Sequence, residues 1–251
     1  MAGTKSRKIK ISKQIYGDFA RFYDLLGWNK FVRICAERLR NFVTLRGTGE
    51  ESVLDLACGT GELEYCLRKT RLDFTGVDIS WQMLSEARRK VRGVKFIHGD
   101  MASVRLSKKF DIVTCFFDSV NHLSGATAIR SMFKTARMHL KPGGFFLFDM
   151  LSPEGLENWD SVEIRRGDNY YVTINGSFDP VKIRSSATIE GFVETRNHGY
   201  HRFLQNVEEC SFPLDKIAEL LTVAGFEDIK VSSFNVEENI EHTSRWFLVV
   251  R

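Results

Sequence analysis

The chain has 251 residues, enough for one large domain or for a domain carrying an insertion. At that length roughly 70–75% of the unfolded surface is buried on folding, so a self-sufficient core needs neither disulfide nor metal. The composition is that of an ordinary globular protein, and a net charge of +4 is too mild to argue for a nucleic-acid partner.

The clearest local source of that charge is the start, where Lys5, Arg7, Lys8 and Lys10 crowd together. This cluster reads as a solvated tail, and no basic stripe recurs downstream. The five cysteines (Cys35, Cys58, Cys66, Cys115 and Cys210) are scattered without a C-x-x-C pair, which argues against a disulfide framework or a zinc site. No apolar run reaches about 18 residues, and no signal-peptide core is present. The expectation is a soluble, cytoplasmic protein without a membrane partner.

In chain order, Tyr16 to about Phe42 reads as a helical segment, rich in aromatics at its start. Short apolar runs then alternate with helix-period segments. Strands are expected over Ser52–Ala57, Phe74–Asp78, Val94–His98, Asp111–Phe117 and Phe145–Met150, with helices over Glu62–Lys69, Gln82–Val91 and Ala126–His139. The turn Lys141-Pro142-Gly143-Gly144 precedes the fifth strand. This alternation means right-handed βαβ units and a parallel sheet. From about Val162 to Phe212 the pattern changes to antiparallel strands: Tyr170–Asn175, Val181–Thr195 and Tyr200–Phe212. Asn175-Gly176, Asp179-Pro180 and Asn197-His198-Gly199 read as the turns of this region. A helix over Leu214–Ala224, closed by Gly225, and strands Phe226–Phe234 and Arg245–Arg251 end the chain.

The informative stretch is Val53-Leu54-Asp55-Leu56-Ala57-Cys58-Gly59-Thr60-Gly61-Glu62, a buried strand opening through small residues into a helix. In open α/β sheets ligands bind at such a strand end. Gly59 and Gly61 let the backbone turn sharply and let a ligand come close. Asp78 ends the second strand, where a carboxylate can accept both hydroxyls of a ribose. The dinucleotide fingerprint would need glycines at 57, 59 and 62, and the chain has Ala57, Gly59 and Glu62. A glutamate at that helix start would repel a pyrophosphate, whereas a phosphate-free nucleoside would not object.

At these residues the chain resembles the class I (Rossmann-like) S-adenosylmethionine-dependent methyltransferases of small-molecule type, over about Tyr16 to Arg251. The segment Asp55–Gly61 is similar to their glycine-rich motif, with Ala57 in place of its first glycine. The resemblance implies that Asp55, Ala57, Cys58, Gly59 and Gly61 hold the amino-acid end of the cofactor. It implies ribose binding by Asp78 and adenine contacts from Ile79, Met83, Asp100 and Met101. Phe110–Phe117 resembles the fourth strand, whose end, Phe116 and Phe117, faces the methyl group, and Leu140–Gly144 resembles the turn before the fifth. Tyr16–Asp24 is similar to a lid helix, from which Tyr16, Phe19 or Tyr23 would close over the sulfonium. The implied fold is a doubly wound, seven-stranded, mostly parallel sheet with an antiparallel β insertion after strand five. Residues 1–161 would form the lid and first part of the methyltransferase domain, 162–212 the β cap, and 213–251 the completing helix and strands.

The catalytic residues are less defined. Methyl transfer is an in-line displacement governed by positioning, and a general base is optional. Candidates are Asp118, Asn121 and His122 after strand four, with His122 preferred by location, and His198, His201, Arg202 and Glu208 in the insertion. Tyr170, Tyr171, Tyr200, His201 and Arg202 are candidate substrate contacts. Cys115 lies in an apolar strand and reads as an inert thiol. No metal is expected. The cofactor is S-adenosyl-L-methionine and the acceptor a small molecule, with an RNA or protein methyltransferase and a non-catalytic cofactor-binding protein as alternatives. Either a monomer or a homodimer is compatible.

Overall fold

The computed structural model describes residues 16–46, 49–234 and 239–251. The basic cluster at Lys5–Lys10 lies outside them. No helix among the described residues is long and apolar enough to cross a membrane.

A short 3-10 turn, Asp18–Arg21, leads through further turns into α1 (Lys30–Arg46). The expected continuous helix from Tyr16 is therefore broken. Gly27 sits at φ +80°, a left-handed conformation that no α-helix continues through. The alternating units then follow: β1 (Ser52–Leu56), α2 (Glu62–Leu67), β2 (Asp73–Asp78), α3 (Trp81–Lys90), β3 (Lys95–His98), β4 (Phe110–Cys115), α4 (Ala126–His139) and β5 (Leu140–Leu151). α3 shows why such helices start and stop. The Ser80 hydroxyl accepts from the Met83 N–H at the first turn, and Arg88, Arg89 and Lys90 crowd the last, where cations suit the helix dipole. The Lys141–Gly144 turn falls within β5 as an irregularity. Between the pairs Phe110↔Leu140 and Ile112↔Phe145, β4 advances two residues and β5 five.

After β5 come α5 (Pro153–Glu157), β6 (Val162–Gly167), β7 (Tyr170–Asp179), β8 (Arg184–Glu194) and β9 (Tyr200–Cys210), then α6 (Leu214–Val223), β10 (Ile229–Ser233) and β11 (Arg245–Val250). The expected Asn175-Gly176 turn is instead the middle of β7. Gly176 is needed there for a close approach: a Cβ would lie 1.9 Å from the Trp159 carbonyl oxygen. Asp179-Pro180 and Asn197-His198-Gly199 do turn the chain.

The main sheet has seven strands in the order β10-β11-β5-β4-β1-β2-β3, with β1 to β5 parallel and β11 antiparallel to both neighbours. Strand alternation sorts the core into two layers. Leu54, Leu56, Phe146, Phe148, Trp246 and Leu248 meet α4 and α6 on one face, while Val53, Ile112, Leu147 and Phe247 meet α1 and α2 on the other. The chain runs outward from the middle in both directions, so the topological switch lies between β1 and β4, where such folds hold ligands.

β6 to β9 form a separate antiparallel meander inserted after β5. Its inner face, through Val172, Ile189, Val193 and Phe203, packs on Phe19, Leu26 and the half-buried Tyr16, Phe22, Tyr23 and Trp28. The N-terminal segment and the insertion thus form one aromatic cap.

Candidate active site

The turn after β1 is set by three left-handed residues, Ala57 (φ 61°), Gly59 (φ 54°) and Gly61 (φ 73°). Ala57 pays a steric cost there that glycine would not, which explains physically why its position favours glycine. No atom comes within 4 Å of where a Cβ on Gly59 would stand, whereas one on Gly61 would lie 3.1 Å from the Ala87 Cβ. The loop therefore opens over Gly59 and packs tightly on α3 at Gly61.

Asp78 anchors this loop. Its carboxylate accepts from the Gly59 N–H at 2.9 Å and from the Ser80 N–H at 2.8 Å. A carboxylate has about four lone-pair sites, so capacity remains for two ribose hydroxyls. Asp55, buried at the end of β1, accepts from the Thr114 hydroxyl at 2.6 Å. Burial drives its carboxyl up to about 7, opposed by that hydrogen bond and helped by Asp78; burial also raises Asp78. Beneath the loop, Glu64 is fully buried, and neither carboxyl oxygen has a hydrogen-bond partner among the described residues. Burial and then Asp55 push it well above the usual range.

The next strand ends continue the crevice. Ile79 is half exposed, and its carbonyl accepts from His98 at 2.8 Å. His98, on the edge strand β3, is exposed and stacks on Trp81 with ring centroids 4.2 Å apart. Asp100 caps the following turn through the Ala102 N–H, and half-buried Met101 meets Cys115 at 4.0 Å. Met83 and Phe116 are core side chains, Phe116 lying against Phe247. Phe117 stacks on Phe31 at 5.3 Å. Cys58 is buried, as is Cys115, whose thiol burial pushes up as expected of an inert one.

Glu62 takes a different role from the one its position suggested. Its carboxylate is held at 2.9 Å each by Asn29, Arg33 and Lys90, and these partners bring it below the ordinary range despite burial. Lys90 also pairs with Asp24, which accepts from the Thr60 hydroxyl. Glu62 is neutralised and ties the N-terminal cap to the glycine turn, so charge repulsion alone does not make it discriminate against a pyrophosphate.

The end of β4 is strained. Phe117 and Asp118 are successive left-handed residues, at φ 59° and 48°. Asp149, fully buried on β5, holds them there by accepting from the Phe117 N–H at 2.6 Å and the Asp118 N–H at 3.1 Å. Arg245, opening β11, bridges Asp149 and Asp118. Asn121 is a clamp: its side chain binds both the N–H and the carbonyl of Leu151 and the Cys210 carbonyl. His122 lies 3.3 Å from the Tyr16 hydroxyl, 3.4 Å from the Glu208 carbonyl and 3.5 Å from the Glu209 carboxylate. The Glu208 carbonyl assigns the proton to Nδ1, leaving Nε2 to accept from Tyr16. Burial lowers the histidine below its ordinary value, keeping it neutral. Tyr16 is itself left-handed (φ 62°) and packs edge-on to Tyr23 at 6.0 Å. Asp118, His122 and Glu209 come within 4.8 Å of one another, but Asp118 is already committed to Arg245.

The insertion divides the remaining candidates. His201 faces the cap, 3.5 Å from Asp18 and against Phe22. Arg202, one residue on, lies on the opposite face of β9 and pairs with Glu190. His198 sits in an exposed turn beside Glu194, and the Glu208 side chain reaches Arg184. Tyr170 is half buried in the cap, while Tyr171 and Tyr200 are exposed. Asp149, Arg245, Glu209 and Glu64 were not singled out from sequence. Asp149 and Glu209 did leave one signal, an acid at an inward position of a strand.

Comparison with known proteins agrees with this geometry. A family model described as a methyltransferase domain matches residues 53–144. The putative methyltransferase YqeM of Bacillus subtilis is 30% identical over 231 residues, covering 87% of this chain and 89% of that protein. An S-adenosylmethionine-dependent methyltransferase structure from Clostridium acetobutylicum superposes with a TM-score of 0.82 at 26% identity, covering 94% of this chain and 98% of that one. A Streptomyces venezuelae protein named dTDP-3-amino-3,4,6-trideoxy-alpha-D-glucopyranose N,N-dimethyltransferase is 32% identical over 155 residues, 60% of this chain and 65% of its own. A doubly wound α/β sheet with an open glycine turn beside its switch point is thus joined to a methyltransferase sequence. The chain belongs to the class I, Rossmann-like S-adenosylmethionine-dependent methyltransferases.

Proposed function

We propose that this enzyme holds S-adenosylmethionine across the ends of β1, β2 and β3 and methylates a nitrogen or oxygen nucleophile of a small molecule beneath the aromatic cap. The observation that carries the reading is the Asp78 carboxylate seated on the open Gly59 turn, 2.9 Å from its N–H. Asp78 would grip the ribose, Asp55 and the Ala57–Gly61 backbone the amino-acid end, and Ile79, Asp100 and Met101 the adenine. The sulfonium supplies the activated methyl group.

The charge of the crevice favours that ligand. Asp55, Asp78, Asp118, Asp149 and Glu209 gather around the switch point, and Arg245 pairs with Asp118 and Asp149. Such a field suits a cationic cofactor and opposes a polyphosphate strand. Tyr16 and Tyr23 add aromatic faces for a sulfonium, worth about 0.5–2 kcal/mol. On the acceptor side, the Tyr16 hydroxyl can accept from the nucleophile and pass its own proton to Nε2 of neutral His122, and the strained Phe117–Asp118 turn holds the histidine in place. The S. venezuelae relative, whose name denotes N-methylation of an amino sugar, supports a compact nitrogen acceptor.

Incubation with S-adenosylmethionine and a panel of small amines, alcohols and carboxylates, read by mass spectrometry, tests this. The expected result is a gain of one methyl by a small acceptor, dependent on Asp78. Methylation of RNA or protein alone would contradict it.

A further inference from the structure

Glu209 is the side chain at the cleft whose chemistry is left over. It lies on the inward face of β9, in register with Phe203 and Val207 of the cap, and is only 3% exposed. One carboxyl oxygen is 3.5 Å from His122 Nε2; the other, Oε2, is buried with no hydrogen-bond partner among the described residues. Buried polar atoms are seldom left so, because the lost hydration is not replaced. Among the described residues its surroundings add no spare cation. Asp118 and Asp149 share the Arg245 guanidinium, Tyr16 brings a neutral phenol, and His122 is kept neutral by burial. Three carboxyl groups therefore face one arginine. Burial, followed by the charge of Asp118, raises the Glu209 carboxyl well above its ordinary value.

We propose that Glu209 is the specificity-determining residue for the acceptor: its free Oε2 takes an N–H of a protonated or neutral amine, and its charge selects an ammonium over a hydroxyl. The proposal rests on the reading of the crevice as a methyltransfer site and narrows its acceptor to amines. A hydroxyl would satisfy the hydrogen bond but leave the excess carboxylate uncompensated, whereas an ammonium supplies both partner and countercharge. A bound ammonium first gives one proton through the Tyr16 hydroxyl to neutral His122, which frees the nitrogen lone pair for the methyl while a second N–H stays on Glu209 and the cofactor sulfur leaves as a neutral thioether.

The test uses the full chain saturated with S-adenosylhomocysteine and two probes of similar shape, cyclohexylamine and cyclohexanol, titrated by chemical shift. The wild type is expected to bind the amine about tenfold or more tightly, the size of one charge-assisted hydrogen bond. The preference should grow as pH rises through the Glu209 ionisation. Glu209→Gln should bring the two probes within about twofold while S-adenosylhomocysteine affinity and melting temperature stay unchanged. Equal binding of the probes by the wild type overturns the proposal without reference to any variant, and so does a preference that survives in Glu209→Gln. Failure of S-adenosylhomocysteine itself to bind would overturn the cofactor reading and this proposal together; binding of that nucleoside without amine preference removes Glu209 alone.

Discussion

The two halves of the crevice are built in different ways. The half proposed to hold the cofactor is local: the turn after β1 and the ends of β2 and β3 supply it within about fifty residues (Asp55 to Met101), and its acids bind groups close in sequence or on an adjacent strand. The half proposed to receive the acceptor is assembled from afar. Arg245 meets Asp118, 127 residues away; Asn121 meets Cys210, 89 away; and His122 meets Tyr16, 106 away. A local site tolerates change elsewhere in the fold. A site pinned by buried polar links between distant segments depends on the whole cap closing correctly.

The sharpest way to break that contrast is at Asp149. Asp149→Ala leaves the Phe117 and Asp118 amides and Arg245 without their shared partner, and should cost about 3–5 kcal/mol of unfolding free energy. Denaturant melts should show this loss, and the end of β4 should lose its hydrogen-exchange protection before the glycine turn does. Next comes Asp78→Ala, which should weaken S-adenosylmethionine by roughly 10²-fold, from one or two lost charged hydrogen bonds of about 1.5–3 kcal/mol each. Calorimetry would measure it, with a smaller loss of unfolding stability than in Asp149→Ala, since two backbone N–H groups rather than an ion-paired cluster lose their acceptor.

His122→Asn should separate the halves kinetically. If the neutral imidazole takes a proton from the acceptor, kcat/KM should fall on the order of 10²-fold, with cofactor affinity held within about twofold. A variant that loses cofactor binding to the same degree would merge the two regions.

The cofactor half should also respond to pH. The Asp55 carboxyl is raised to about 7, so the empty site holds its proton below that pH, and the proton must leave before the carboxylate can hold a cationic amino-acid end. Affinity for S-adenosylmethionine is therefore expected to rise between pH 6 and pH 8, and the dependence should flatten in Asp55→Asn. The smallest effect is at Ala57, where glycine in the left-handed conformation relieves about 1–2 kcal/mol of strain, partly offset by unfolded-state entropy. A slightly raised melting temperature with unchanged cofactor affinity is expected.

The same division governs what was legible in the sequence. The seven-stranded sheet, the inserted meander and the placement of Asp55–Gly61, Asp78 and Gly99–Met101 at strand ends were readable because strand period, glycine turns and residue order carry them within short windows. The unbroken N-terminal helix failed at Gly27, since aromatic spacing does not reveal a left-handed glycine inside it. Gly176 read as a turn because its use, admitting the Trp159 backbone, depends on a distant segment. Arg202 was grouped with His201, although strand alternation sends the two to opposite faces once β9 is fixed. The Asp149–Arg245 pair was missed because a partner 96 residues away leaves no local pattern, although the acid inside β5 marks one half of it. Glu209 stood one residue from a candidate, Glu208, and only the register of β9 decides which of the two points inward.

The central claim, that the open turn at Gly59 and the carboxylate of Asp78 cradle an adenosine, is tested most directly by a crystal structure with S-adenosylhomocysteine. The account predicts the ribose hydroxyls on Asp78, the base beside Ile79 and Met101, and the sulfur facing Tyr16 and the end of β4. A nucleoside bound elsewhere, or a crevice that takes up NAD in its place, would contradict it.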